Sequence, residues 1–184
     1  MVVAMSSYDS VRARFPTALI RNLAAFCSAV LLALTAAHAQ SGSRSVVLPQ
    51  STASYFAKRQ LCSRPGPPKF DGTWTPSDAD IQELESRLSK ISKLRTHGFR
   101  RSRQIQHPDE YYRQYLGIRV GKRNLIYINA FDNWDPTHSP EALSIWRNTP
   151  IIGCDGGDSF WGAVYDPASG TFSDLEINLS FGGS

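Results

Sequence analysis

Hydrophobic and polar residues follow several distinct rhythms along this chain. Between Leu23 and Ala36 apolar residues run almost unbroken, interrupted only by Cys27, Ser28 and Thr35. Later they recur at Ile81, Leu84, Leu88, Ile91 and Leu94, with Asp80, Glu83, Arg87, Lys90 and Lys93 on the other faces. That spacing is helical. From Tyr112 the period falls to two. Tyr112, Gln114, Leu116, Ile118 and Val120 alternate with Arg113, Tyr115, Gly117 and Arg119, and Asn124 to Phe131 is a second β-rich run. Phe160 to Tyr165 and Phe172 to Leu179, on either side of a turn holding Pro167 and Gly170, supply two more strands.

The punctuation between these runs predicts how they connect. Thr75 is a suitable N-cap, Pro76 fits the first helical position and Asp78 completes a Thr-x-x-Asp box, so one amphipathic helix is expected from here to the region of Gly98. Gly121-Lys122 suits a two-residue hairpin turn. In that register Leu116 faces Tyr127, Ile118 faces Leu125, and Tyr115 faces Ile128 on the opposite side of the sheet. The second strand is apolar on both faces and is expected at the centre. Asp166-Pro-Ala-Ser-Gly170 turns a second hairpin. Between the hairpins, Asp132 to Asp158 is an irregular excursion with a short helix, capped by Ser139 and opened by Pro140. The expected fold class is α+β, with one long amphipathic helix packed on an antiparallel sheet of about four strands in two hairpins. That domain is expected over residues 70–184. Residues 40–69, rich in serine and proline, read as a flexible leader with a turn or two of helix near Tyr55 to Leu61.

Composition adds the compartment. With 184 residues, 41% hydrophobic and 20% charged, the chain suits one domain with a core and is not disordered, collagenous or a polytopic membrane protein. The first apolar run is 14 residues long, short of the roughly 20 that a membrane span needs. Arg12, Arg14 and Arg21 precede or enter it, and Ala37-His38-Ala39 follows as a small-residue cleavage site. Residues 1–39 are therefore expected to be a Sec-type signal peptide, with the mature chain starting at Gln40 in the periplasm or outside the cell and keeping no membrane span. Arg12 and Arg14 are not adjacent, so the twin-arginine signature is missing, and Cys27 lies inside the run, where lipoprotein processing does not use it. The mature chain carries 17 basic and 15 acidic residues, so much of the formal charge of +4 belongs to the signal.

Export leaves two cysteines, Cys62 and Cys154, which are expected to form one disulfide. Closing a loop of 93 residues contributes about 4–5 kcal/mol on chain-entropy reasoning. The rival reading makes Cys154 a nucleophile with His97, His107 or His138 as its base. Gly153-Cys154-Asp155-Gly156-Gly157 resembles a short motif of papain-like cysteine peptidases, in which that cysteine belongs to a structural disulfide. The likeness spans five residues, and the segment that carries the nucleophile in that family has no counterpart here, so it implies no peptidase activity. Asp155 and Asp158, with Asp132 and Asp135, form a weak calcium candidate. Their spacing is not that of an EF-hand, and short Asx-Gly runs ordinarily make turns, so no metal and no cofactor is expected.

Charge is polarised along the chain. Gln40 to Arg123 holds 16 basic and 7 acidic residues, whereas Asn124 to Ser184 holds 1 basic and 8 acidic. Arg95, Arg100, Arg101 and Arg103 gather near Tyr111, Tyr112 and Tyr115 in the sequence, as an anion-binding loop or as a loop paired with the acidic half of its own domain. The small mature net charge and the absence of any nucleic-acid motif exclude nucleic acid as a partner. Trp134, flanked by Asp132, Asn133, Asp135 and Pro136, is expected to be partly exposed. No nucleophile, zinc or phosphate-loop motif is present. The functional expectation is an exported, disulfide-stapled binding protein, an inhibitor or immunity-type partner of an envelope or secreted protein, more a binder than an enzyme. Its contacts would come from Asp132, Trp134 and Asp135 or from Arg100, Arg101 and Arg103. The alternative is a small hydrolase of cell-wall or other envelope polymer working through two carboxylates.

Overall fold

Nine-residue alternation builds the centre of the molecule, and shorter strands collect around it. The structure is a computed structural model and describes residues 44–58, 60–96 and 103–180. The strands are β1 (Ser45–Val47), β2 (Gln60–Leu61), β3 (Arg64–Pro65), β4 (Gly72–Trp74), β5 (Tyr112–Val120), β6 (Arg123–Phe131), β7 (Phe160–Asp166) and β8 (Thr171–Ile177). The α-helices are α1 (Ala53–Phe56), α2 (Asp78–Ser86) and α3 (Pro140–Asn148). The expected signal peptide, its cleavage site, His97, Gly98, Arg100 and Arg101 lie outside the described residues. Among the described residues no helix is long and apolar enough to cross a membrane.

Strands β5 to β8 form an antiparallel meander. Leu116 pairs with Tyr127, Ile118 with Leu125 and Tyr115 with Ile128. Gly121 turns the first hairpin at φ +60, the positive value that primed turns require. Two further strands share the outer edge of β5. β1 runs parallel to its first half, and β4 antiparallel to its second half. Gly117 permits this approach, because a Cβ there would stand 2.2 Å from the Trp74 carbonyl oxygen. The result is a mixed six-stranded sheet, with β2 and β3 as a separate two-stranded one. β1, β2 and β3 all come from the stretch expected as a leader, and from Arg44 onward it belongs to the same compact unit as the meander.

The expected long helix on a four-stranded sheet is overturned. The cap is Ser77, not Thr75, with Asp80 completing the capping box, and the α-helix ends after nine residues at Ser86. A 3-10 segment, Leu88–Lys93, follows. Two features of the sequence account for the change. Ser86 and Ser92 turn their hydroxyls onto the carbonyls of Glu83 and Ser89, in competition with helical bonding. Leu88, Ile91 and Leu94 are spaced by three, a repeat that the three-residue turn of a 3-10 helix aligns on one edge. The apolar pattern holds while its geometry changes: Leu84, Leu88 and Ile91 are all buried.

Both faces of the sheet are covered, which is why β6 is apolar on both. On one face Leu84, Leu88 and Ile91 pack over Tyr115, Ile126, Ile128, Trp161, Ala163 and Tyr165. Arg113 lies on this face and is 5% exposed. It meets the Glu85 carboxylate at 3.1 Å and donates to the carbonyls of Pro108, Asp109 and Tyr111. The Tyr115 hydroxyl donates to the same carboxylate at 2.5 Å. Burial alone would lower the Arg113 pKa, but Tyr115 and Glu85 together raise it, so the guanidinium stays charged. On the opposite face Leu48, Phe56 and Leu61 pack over Leu116, Ile118, Leu125, Tyr127 and Val164. Cys62 and Cys154 are bridged, with Cα atoms 4.8 Å apart, so the β2–β3 hairpin is stapled to the excursion between β6 and β7.

Candidate functional site

The excursion is built as a rigid platform over one end of the sheet. Its neck closes where the Asp132 amide donates to the Ser159 carbonyl at 3.2 Å. The Asp135 carboxylate then shapes the first turn, accepting from the Thr137 amide and hydroxyl at 2.8 and 2.7 Å and from the Tyr112 hydroxyl at 2.8 Å. The Thr137 bonds, with help from Tyr112, hold this carboxyl below its ordinary pKa. Ser139 caps α3 by accepting from the Ala142 amide at 3.1 Å, with Pro140 at the first position. The helix plants Trp146 in the core and leaves Ile145 49% exposed.

Aromatic rings fill the space beneath. Tyr112 stacks on Phe131 at 5.8 Å and meets Trp146 edge-on at 5.7 Å, while the Arg44 guanidinium lies over the outer face of Tyr112 at 5.4 Å. Trp134 is half-buried, 6.0 Å from Phe131 and 5.9 Å from the ring of His138. The Nδ1–H of His138 donates to the Asp135 carbonyl, so this imidazole closes a turn.

Buried amide side chains fasten the rest of the excursion from below. Gln114 donates to the carbonyls of Trp146 and Thr149 at 2.7 and 2.8 Å, and its own oxygen accepts from the Ile151 amide at 2.9 Å. Asn129 donates to Gln114 and to the Ile151 carbonyl, both at 2.9 Å. Asn178 donates to the carbonyls of Gly153 and Asp155, on either side of the bridged Cys154, at 2.8 and 3.0 Å. Arg64 completes the network, donating to the side-chain oxygens of Asn178 at 2.7 Å and Asn129 at 2.5 Å. All four of these side chains are buried. Irregular backbone cannot satisfy its own polar groups in a ladder, and this network does so for it.

The structure brings only some of the sequence candidates together. Asp132 is exposed at the neck, Trp134 is half-buried and Asp135 is committed to its turn. Arg103 is drawn to the far end of the excursion, where it donates to the Asn178 carbonyl at 3.0 Å and stands 3.7 Å from the Asp158 carboxylate. Tyr111, beside them, has its pKa raised to about 12, first by burial and then by Asp132, Asp158 and Glu110. Cys154 is in the bridge and offers no thiolate, which removes the nucleophile reading. Among the described residues no three histidine, cysteine, aspartate or glutamate side chains gather as metal ligands, Asp155 and Asp158 included. No family model, curated protein or solved structure matches this chain. The residues that sequence reasoning passed over are Arg64, Gln114, Asn129 and Asn178. Two of them carried a signal: Gln114 sits at a core-facing step of the β5 alternation, and Asn129 interrupts the apolar run from Leu125 to Phe131.

Proposed function

We propose that this is an exported, disulfide-stapled binding protein that offers the excursion between β6 and β7 to a protein partner with a basic surface. The observation that carries this reading is the division of labour within the excursion. Its underside is pinned by Gln114, Asn129, Asn178 and the bridge, while Asp132, Glu141, Ile145 and Asp155 are turned outward. Such a segment loses little conformational entropy on binding, which is the condition under which a small surface becomes a tight one. Its chemistry is one-sided. Residues 132–158 hold five acidic side chains and a single basic one, Arg147. Ile145 and the half-buried Trp134 supply apolar anchors inside that acidic rim, the composition expected of an interface centre and its edge. An inhibitor or immunity-type role fits such a preformed acidic knob, because charge complementarity steers association with a basic partner.

The test is a photo-crosslinking amino acid placed at Ile145 and, in parallel, at the similarly exposed Tyr55. A discrete adduct to a basic protein from position 145 alone, lost on the change Asp132→Lys with Glu141→Lys and weakened by salt, is the expected result. An adduct from position 55 alone, or capture that the charge reversals leave unchanged, refutes this surface.

A further inference from the structure

The end of the sheet farthest from the excursion is a cationic tip. Val120 pairs with Arg123 across the Gly121-Lys122 turn, whereas Tyr112 pairs with Phe131 at the mouth of the excursion. A nine-residue strand separates the two ends, about 26 Å at the usual rise. Arg119, Lys122 and Arg123 are exposed at the tip, and a Cβ built at Gly121 meets no atom within 4 Å. The approach to β4 passes the same turn. The Asp71 amide donates to the Arg119 carbonyl at 2.9 Å, which sets the exposed Lys69 and the half-buried Phe70 beside it. Phe70 and the half-buried Val120 pack on the same apolar cluster.

The fold makes little use of these cations. Among the described residues no carboxylate lies within 4.0 Å of Lys69, Arg119, Lys122 or Arg123, and their one side-chain bond runs from Arg119 to Asn124 at 3.4 Å. Asp71 is exposed beside them, while Asp80, Glu83 and Asp166 on this side of the molecule are bonded to Ser77, Arg87 and Ala168. The charges also diverge. Arg119 stands opposite Asn124 on one face of the hairpin, and Arg123 opposite Val120 on the other. One small anion cannot meet them all, but a plane of anionic groups can. Val120 and Phe70, half-buried among the cations, suit the border between headgroups and acyl chains. Residues 132–158 at the other end hold five acidic side chains and a single basic one, so a negative plane attracts one end and repels the other.

We propose that the tip of the β5–β6 hairpin adsorbs on an anionic lipid surface, with Lys69, Arg119, Lys122 and Arg123 on the headgroup phosphates and the acidic excursion held away from it. Each basic side chain near such a surface strengthens attachment about fivefold, within a Debye length of about 10 Å at 0.1 M salt. Four of them give a reversible, salt-sensitive contact that orients the domain without inserting it. The proposal rests on the export reading in one respect: the chain meets the surface without Leu23 to Ala36, an apolar run that would enter a bilayer of either charge.

Protein recovered after export is mixed with vesicles of phosphatidylcholine and phosphatidylglycerol and, in parallel, of phosphatidylcholine alone, and its N-terminus is sequenced. Sedimentation with the mixed vesicles only is expected, reduced at least about tenfold by Lys122→Glu with Arg123→Glu and also by salt. Lys90→Glu with Lys93→Glu, an equal change of charge at exposed positions of the 3-10 segment, should leave most of it. Acetylation of the wild-type chain by an amine-reactive ester locates the contact without a variant. Lys69 and Lys122 should be protected by the mixed vesicles, and Lys90 and Lys93 should not. Absence of sedimentation, equal sedimentation with both lipids, equal loss in the two double variants or equal protection of the four lysines overturns the tip. So does capture of inorganic polyphosphate while the mixed vesicles stay unbound. If Leu23 to Ala36 is still attached, the export reading falls instead, and protection of Lys122 by mixed over neutral vesicles still decides the tip.

Discussion

Two arginines are buried on opposite faces of one sheet, and their surroundings are unlike. Arg113 is compensated where it stands, by the Glu85 carboxylate, the Tyr115 hydroxyl and three backbone carbonyls. Arg64 donates to two amide oxygens, with no carboxylate within 4.0 Å among the described residues, and the residue two places before it is covalently tied across the molecule. The first arrangement stabilises itself, since the charge recovers locally what it lost in leaving water. In the second the charge is met by neutral side-chain amides, on a segment that also places Leu61 in the core and is bridged to the excursion at Cys62. Burial of a charge is thus not one kind of event: on one face the guanidinium meets a carboxylate, and on the other it donates to neutral amides.

The sharpest way to break this comparison is to take away the counter-ion of Arg113. Glu85→Ala leaves a buried guanidinium with carbonyl partners alone and should cost about 3 kcal/mol in urea unfolding. Glu85→Gln, which still accepts from Tyr115, should recover part of that loss. If Glu85→Ala costs nothing, the two arginines are equivalent and the contrast is empty.

A smaller effect is expected on the other face. Arg64→Met removes a buried charge whose hydrogen-bond partners are neutral but leaves the side-chain oxygens of Asn129 and Asn178 without that donor, and the two changes offset each other to within about 2 kcal/mol. Equilibrium unfolding of the oxidised variant measures it. A loss as large as that of Glu85→Ala would mean that Arg64 is an anchor of the fold and not a tolerated charge.

The smallest effect concerns pH. Tyr111, whose carbonyl accepts from Arg113 and whose ring meets Trp161 at 5.6 Å, has its pKa raised from 10.0 to about 12. Because the folded value lies above the unfolded one, the stability that Tyr111 contributes is complete below pH 10.0 and is lost as pH climbs to about 12. Thermal unfolding across that window should show the decline, and Tyr111→Phe should make it shallower. An unchanged slope in the variant would place the alkaline loss on other groups.

The sequence made the register of the first hairpin of the meander readable, and left the pairing of β6 with β7 open. The alternation of Tyr112 to Val120, the turn at Gly121 and the apolar run after Asn124 together specify the pairing of Leu116 with Tyr127, because a slip of one position would turn every side chain to the wrong face. The caps of α3 were equally plain, since Ser139 and Pro140 act within one turn of chain. The long helix was misread at Ser86, where hydroxyl competition and a shift from four-residue to three-residue spacing tighten the coil. β1 and β4 were not legible at all. Each is three residues long, too short for a period to show, and exists because the edge of β5 offers it partners.

The sequence by itself determined what rests on neighbours along the chain: strand alternation, hairpin register, the caps of α3 and the unequal division of charge between the two halves. The pairing of Cys62 with Cys154 was also within reach, because a chain expected to start at Gln40 holds only these two cysteines. Only the tertiary structure decided the rest. Whether Arg113 meets Glu85 while Arg64 meets the amides of Asn129 and Asn178, and whether Gln114, Asn129 and Asn178 fasten an irregular excursion, depends on contacts between residues far apart in the chain. A polar side chain in a strand looks the same in sequence whether it faces water or the carbonyls of a loop that crosses above it, and what separates the two is the packing of the complete fold.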